Sequence, residues 1–240
     1  MAADTHAAAD FYATPRGAVA ERLLSERLAL LWPDLRGQSV LGIGFAEPYL
    51  RLWRDQATRC IALTPAQMGA ARWPAGEPNL SCTAEEDALP FPDLSFDRVL
   101  LVHGLEAAEN ARRMLRETWR VLKDDGRLLV VAPNRRGIWA RLERTPFALG
   151  RPYTMGQLSQ LLRDEQFTPV GTDTALFVPP ARRRMILRSA PAWERIGQRW
   201  FARVAGVVLV EATKQIYAKP MAAVRVPRRR LVYAPAPHGT

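Results

Sequence analysis

Short apolar segments alternate with helical patterns along residues 1–133. Runs such as VLLV and LLVV are continuously apolar, which is typical of strands buried on both faces. Strands that alternate with helices predict right-handed crossovers and a parallel, doubly wound α/β sheet. The predicted strands are 39–44, 59–64, 79–83, 96–102 and 126–132, and the predicted helices are 18–32, 48–55, 65–71 and 107–122.

The pattern loosens after Pro133. The spacing predicts a helix over 154–163, a sixth strand over 167–178 and a last strand over 206–217. Between these strands lies a basic insertion, 179–204, with a helix at 192–203. The predicted domain organisation is therefore a flexible lead (1–15), one domain (16–218) and a mobile tail (219–240).

Composition narrows the class of protein further. The chain has 240 residues, of which 48% are hydrophobic and 24% charged, as in ordinary globular domains. Two cysteines, Cys60 and Cys82, cannot form a disulfide framework, and three histidines in no ligand-like spacing predict no metal site. The first residues lack the pattern of a signal peptide, and the longest apolar run, 204–210, is far short of a membrane span. We therefore expect a cytoplasmic protein.

Positive charge is concentrated in the second half of the chain. Residues 1–133 carry 15 basic and 18 acidic side chains, whereas residues 134–240 carry 19 basic and 6 acidic ones. Such asymmetry predicts an anionic counterpart: an acidic small molecule, an acidic protein partner or transient contact with an anionic membrane surface. Nucleic acid is the least favoured, because no motif for a base amine and no RNA-binding module are visible.

The motif with the greatest specificity is EEDALPFPDLSFD at residues 85–97. It is followed by VLLV, His103 and the segment RETWRVLKDDGRLLVVAPN. This arrangement resembles the type 11 group of class I S-adenosylmethionine-dependent methyltransferases, closely over 85–134 and more loosely over 39–134. The resemblance implies a Rossmann-like sheet of seven strands with the last one antiparallel. It also implies S-adenosylmethionine as cofactor and a methyl-transfer reaction (EC 2.1.1) on a small-molecule acceptor.

The resemblance assigns cofactor-binding roles and exposes two departures. The glycine-rich turn falls at Gly42, Gly44 and Ala46, and Gly42 stands where the family usually has an acid. Thr64 stands where the family has the acid that binds the ribose hydroxyls. The acid at the adenine edge is retained within the segment Glu85, Glu86, Asp87 and Ala88. These departures leave two functions open: a methyltransferase, or a non-catalytic binding protein with the same fold and a weakened cofactor site.

Candidate acceptor-side residues follow the fourth and fifth predicted strands. His103 comes directly after VLLV and is either a general base or a structural cap of the strand. Arg135, Arg136, Trp139 and Tyr153 combine guanidinium groups with aromatic rings, which suits an anionic or planar acceptor. The alternative is a solvated loop with Trp139 in the core.

Overall fold

A seven-stranded mixed sheet forms the centre of the molecule. The computed structural model describes residues 5–69, 72–141, 145–181 and 184–216. The strand order is β3-β2-β1-β4-β5-β7-β6, with β7 antiparallel to both of its neighbours. The predicted fold class is therefore confirmed. The strands are β1 (Ser39–Gly44), β2 (Arg59–Pro65), β3 (Ser81–Ala84), β4 (Phe96–Val102), β5 (Leu122–Pro133), β6 (Phe167–Ala175) and β7 (Val207–Lys214).

Helices cover both faces of the sheet. They are α1 (Thr5–Tyr12), α2 (Pro15–Leu31), α3 (Glu47–Leu50), α4 (Ala111–Val121), α5 (Met155–Asp164), α6 (Arg184–Arg188) and α7 (Ala190–Trp200). Alternate residues of β4 serve opposite cores: Leu100 and Val102 pack with α1, α2 and α3, whereas Val99 and Leu101 pack with α4 and α5. Both faces of the central strands are thus buried, which explains their continuous hydrophobicity.

Four sequence expectations differ from the structure. The helix expected over 65–71 is, in its described part, a three-residue 3-10 turn, Ala66–Met68. Residues 5–12 of the predicted flexible lead form helix α1, and its Ala8, Phe11 and Tyr12 are buried. The helix expected over 48–55 is the four-residue α3, too short to give the anion-binding N-terminus that a long helix would supply. Strand β5 begins at Leu122 rather than at 126, because Leu122 pairs with Phe96.

Two further expectations concern the C-terminal tail and membrane spans. The predicted tail, 219–240, lies outside the described residues. None of the helices in the described part of the chain combines the length and the apolarity that crossing a bilayer requires.

Candidate functional site

The turn after β1 is shaped by two glycines that pack against their neighbours. A Cβ on Gly42 would lie 2.6 Å from the Cβ of Ala46, and a Cβ on Gly44 would lie 2.3 Å from the carbonyl oxygen of Val102. Gly44 also has a φ of +90°, which side chains rarely tolerate. Because Ala46 is itself buried, the small residues of this turn bring β1, α3 and the end of β4 into contact.

Glu47 follows this turn and is buried beside Thr64. The hydroxyl of Thr64 donates to Oε1 of Glu47 at 3.3 Å, while Oε2 of Glu47 has no hydrogen-bond partner. Burial raises the pKa of Glu47, an effect that the hydrogen bonds from its own backbone and from Thr64 only partly oppose. A carboxyl group therefore lies next to the position where the family carries its ribose-binding acid, although it comes from α3 rather than from β2.

In the acidic segment after β3, some carboxylates are paired within the protein and others face solvent. Buried Glu86 accepts hydrogen bonds from Nε2 of Gln67 at 2.6 Å and from the backbone N–H of Asn110 at 2.7 Å. Asp87 pairs with Arg113 at 3.1 Å. Glu85 and Ala88 are exposed. Glu85, Glu86 and Asp87 line a crevice of about 400 Å³ together with Gln67, Glu109, Asn110 and Arg113. Of the three carboxylates, Glu85 is therefore the one available to a ligand.

His103 lies at the end of β4 in a buried chain of hydrogen bonds. Its Nδ1 is 2.9 Å from Oε1 of Glu106, and its Nε2 is 2.9 Å from the hydroxyl of Tyr12. Tyr49 in turn donates to the hydroxyl of Tyr12 at 2.9 Å. This pattern assigns the proton to Nδ1, where it faces the carboxylate, and leaves Nε2 as the acceptor. The φ of His103 is +54°, so its backbone is held in a conformation of higher energy.

Aromatic side chains cover the region between the β1 turn and His103. The ring of Tyr12 stacks on Phe45 with centroids 5.1 Å apart. Phe11 meets Trp139 and Phe147 edge-on at 6.3 and 6.0 Å. Helix α1 therefore closes the carboxyl ends of β1 and β4 from solvent.

A second crevice, of about 480 Å³, lies beside the first. Its lining includes Arg135, Arg151 and Tyr153, and it shares Glu109 and Asn110 with the crevice at Glu85. Nε of Arg135 donates to the carbonyl of Pro152, and no carboxylate of the described residues pairs with either Arg135 or Arg151. Burial raises the pKa of Tyr153, so its hydroxyl stays protonated at neutral pH.

The structure does not bring all four acceptor-side candidates together. Arg135 and Tyr153 share the second crevice, whereas Arg136 lines a separate cavity with Thr154 and Arg203. Trp139 is buried and its Nε1 donates to the carbonyl of Val178 at 2.9 Å, as the core alternative expected.

Sequence reasoning missed several of these residues. Glu47 carried no motif, because it comes directly after Ala46, the last small residue of the turn. The pairing of His103 with Tyr12 joins positions 91 residues apart. Only Glu106 offered a signal, because a carboxylate three residues from a histidine can reach its ring.

Part of the chain matches a known family model and a curated relative. Residues 39–130 match the family model described as a methyltransferase domain. An uncharacterized protein of Mycobacterium tuberculosis is 30% identical over 145 residues, which cover 58% of this chain and 48% of the relative. The chain thus spans about half the length of this curated relative.

Solved structures share the fold. A putative methyltransferase of Haloferax volcanii, solved with the Trm112 methyltransferase activator, superposes with a TM-score of 0.60 at 19% identity, covering 83% of this chain and 93% of that one. A 1,6-didemethyltoxoflavin-N1-methyltransferase of Burkholderia thailandensis, solved with its substrate and S-adenosylhomocysteine, gives a TM-score of 0.52 at 18% identity, covering 80% and 76%.

The fold is that of the class I S-adenosylmethionine-dependent methyltransferases. Within it, residues 39–130 are the part that matches the methyltransferase domain model. S-adenosylmethionine is the cofactor that this family match indicates, and the comparisons do not favour the non-catalytic alternative.

The residues present fit S-adenosylmethionine, but only the side that would hold its nucleoside is accessible. The exposed carboxylate of Glu85 borders a crevice on the nucleoside side, and the unpartnered Oε2 of Glu47 is a spare buried acceptor. On the methionine side, the turn from Gly42 to Ala46 lies beneath Tyr12, whose ring stacks on Phe45 of the turn. The crevice at Glu85 is thus open to a ligand, whereas the turn at Gly42, which lacks the family's acid, lies under α1.

Proposed function

We propose that this protein transfers a methyl group from S-adenosylmethionine to a small anionic acceptor. The observation that carries the proposal is the shared wall of the two crevices, Glu109 and Asn110. A nucleoside beside Glu85 and an acceptor beside Arg135 and Arg151 would be neighbours at the carboxyl ends of the strands, where α/β sheets bind ligands.

Each end of the site has residues suited to its ligand. Glu85 would hold the adenosine, and Glu47 would offer Oε2 to a ribose hydroxyl in place of the acid missing at Thr64. Arg135 and Arg151, which have no carboxylate partner among the described residues, would bind a carboxylate or phosphate of the acceptor. The protonated hydroxyl of Tyr153 adds a hydrogen-bond donor.

Methyl transfer demands little acid–base chemistry of the protein. The cofactor supplies a methyl group on a sulfonium, which is already a strong electrophile. The residues of the chain therefore contribute mainly by holding the acceptor in line and at close range. For an acceptor that must lose a proton, Nε2 of His103 is the atom to take it, because Glu106 fixes the proton on Nδ1. Tyr12 occupies that atom in the closed structure.

Calorimetric titration with S-adenosylhomocysteine tests the cofactor half of the proposal. We expect saturable binding, and Glu85→Lys should weaken it by roughly 10-fold or more, because an ionic hydrogen bond contributes about 1.5–3 kcal/mol. Glu26→Lys, at an exposed carboxylate of α2, is the matched control. Absence of any binding would overturn the proposed function.

The acceptor half is tested with benzoate and phenyl phosphate as probes, and then with labelled methyl transfer to hydroxybenzoates and aminobenzoates. Arg135→Gln and Arg151→Gln should each weaken probe binding by roughly 10-fold or more, since each removes a charged hydrogen-bond donor. Binding of S-adenosylhomocysteine should stay unchanged in both variants. Arg163→Gln, at an exposed arginine of α5, is the control. Equal probe binding by all variants would remove the anionic acceptor from the proposal.

A further inference from the structure

The segment from α6 to the end of α7 concentrates exposed apolar side chains. Elsewhere in the described chain, large exposed hydrophobic residues are scattered singly. Here six occur within twenty positions: Met185, Trp193, Ile196, Trp200, Phe201 and Val204. Trp200 is 71% exposed and Phe201 58% exposed. A cluster of exposed apolar side chains on a folded domain indicates an interaction surface.

Helix α7 is fixed to the domain by a different face. Gly197 packs so closely against Phe177 that a Cβ would lie 2.1 Å from its ring. Buried Glu194 accepts a hydrogen bond from the backbone N–H of Phe177 at 2.6 Å. Trp193, Ile196 and Trp200 follow one another at helical spacing beside this buried face. The packing that fixes α7 to the domain therefore leaves the apolar stripe exposed to a partner.

Arginines flank the apolar stripe. Arg188, Arg195, Arg199 and Arg203 are exposed, and none of them pairs with a carboxylate among the described residues. The guanidinium carbon of Arg199 lies 5.7 Å from the ring centroid of Trp200. Glu194, the one acid in the sequence 179–204, is buried. The surface thus has an apolar centre and an uncompensated positive rim.

We propose that this surface, formed by α6, α7 and residues 201–204, docks on the face of an anionic lipid bilayer. Tryptophan and phenylalanine side chains insert favourably at the boundary between headgroups and acyl chains, and neighbouring arginines bind the anionic headgroups. A bilayer accepts protruding apolar side chains without a shaped groove. This function is independent of the methyl-transfer proposal.

Charge complementarity disfavours two occupants that the chain itself could supply: its own residues 217–240 and the same surface of a second copy. Residues 217–240 contain five basic and no acidic residues, so this segment would repel the arginine rim. A second copy seated on the same surface would bring two sets of unpaired arginines together. An anionic bilayer supplies the missing negative charge.

Sedimentation of the full chain with vesicles tests the proposal. We expect binding to vesicles of phosphatidylcholine with 30% phosphatidylglycerol, weak binding to phosphatidylcholine alone, and a decrease with rising salt. Arg195→Glu with Arg199→Glu should weaken binding by at least about 25-fold, since each arginine near the surface contributes about fivefold. Arg163→Glu, at an exposed arginine on α5, should leave it unchanged.

The apolar stripe separates a bilayer from other anionic partners. Trp193→Ser with Trp200→Ser should weaken vesicle binding by about tenfold or more, whereas Leu30→Ser, at an exposed leucine of α2, should not. Trp193→Phe with Trp200→Phe should retain binding but lose the blue shift of tryptophan fluorescence. Thermal unfolding of each variant verifies that it is folded. Absence of vesicle binding by the wild type would overturn the proposal. So would equal binding by the folded serine variant, or binding to duplex DNA or to a second copy in place of vesicles.

Discussion

The hydroxyl of Tyr12 lies 2.9 Å from Nε2 of His103 and also accepts a hydrogen bond from Tyr49. One phenol thus joins α1 to α3 and to the end of β4. Since all three side chains are buried, each needs its partner inside the protein. The contact makes α1 part of the domain and places it over the turn where the family binds the methionine end of its cofactor.

The first prediction concerns this central phenol. Tyr12→Phe leaves Nε2 of His103 without a donor and Tyr49 without an acceptor, so we expect the free energy of unfolding to fall by about 1–3 kcal/mol. Tyr49→Phe should cost less, because Tyr12 can still donate to His103. Urea denaturation measures both values.

The double variant provides the internal control. Both substitutions break the same hydrogen bond between Tyr49 and Tyr12, so their combined cost should be smaller than the sum of the single costs. Strict additivity would mean that this hydrogen bond contributes nothing to stability.

A second prediction follows from the buried carboxyl of Glu47. Burial raises its pKa, so the folded state binds the proton more tightly than the unfolded state. The contribution of Glu47 to stability is therefore most favourable below the unfolded pKa and is lost as the pH rises through the folded pKa. Glu47→Gln keeps an oxygen for Thr64 and cannot ionise, so it should be more stable than the wild type at pH 8.

The prediction is tested by measuring how the stability difference between Glu47→Gln and the wild type depends on pH. Urea denaturation at pH 4, 6 and 8 should show the advantage of Glu47→Gln growing with pH. The exposed Glu26→Gln should show no such growth. A constant difference between Glu47→Gln and the wild type would mean that Glu47 ionises equally well in the folded and unfolded chain.

The third prediction tests whether the family's acid can be restored at position 42. A Cβ there would lie 2.6 Å from Ala46 and 2.7 Å from Leu50, and the position is buried. Gly42→Asp should therefore lower the free energy of unfolding by about 3 kcal/mol or more, from overpacking and an unpaired buried charge. Gly42→Ala isolates the steric part, about 1–3 kcal/mol. Tighter binding of S-adenosylhomocysteine by a stable aspartate variant would show that the turn opens around its ligand.

These sites show what the sequence could and could not predict. Strands β1 and β4 were predictable because burial on both faces demands a continuous apolar run. The type 11 motif predicted the fold and the cofactor. The place of α1 was not predictable, since the contacts of Tyr12 with Phe45 and His103 join distant positions and an alanine-rich segment shows no clear apolar stripe. Glu47 was missed for a similar reason, because its role as a candidate ligand depends on its buried contact with Thr64.

The last prediction is that closure by α1 limits cofactor affinity. The ring of Phe11 meets Trp139 and Phe147 and anchors the helix. Phe11→Ala removes these contacts, so α1 should dissociate more often from the sheet edge, and trypsin should cleave faster after Arg16. If only the open form binds the methionine half, the measured dissociation constant equals the intrinsic one divided by the open fraction. Calorimetry should then show S-adenosylhomocysteine binding about tenfold more tightly to Phe11→Ala, since about 1.4 kcal/mol of lost closure energy corresponds to that factor. Leu30→Ser should change neither readout. Faster cleavage with weaker binding would instead mean that α1 forms part of the cofactor site and closes around its ligand.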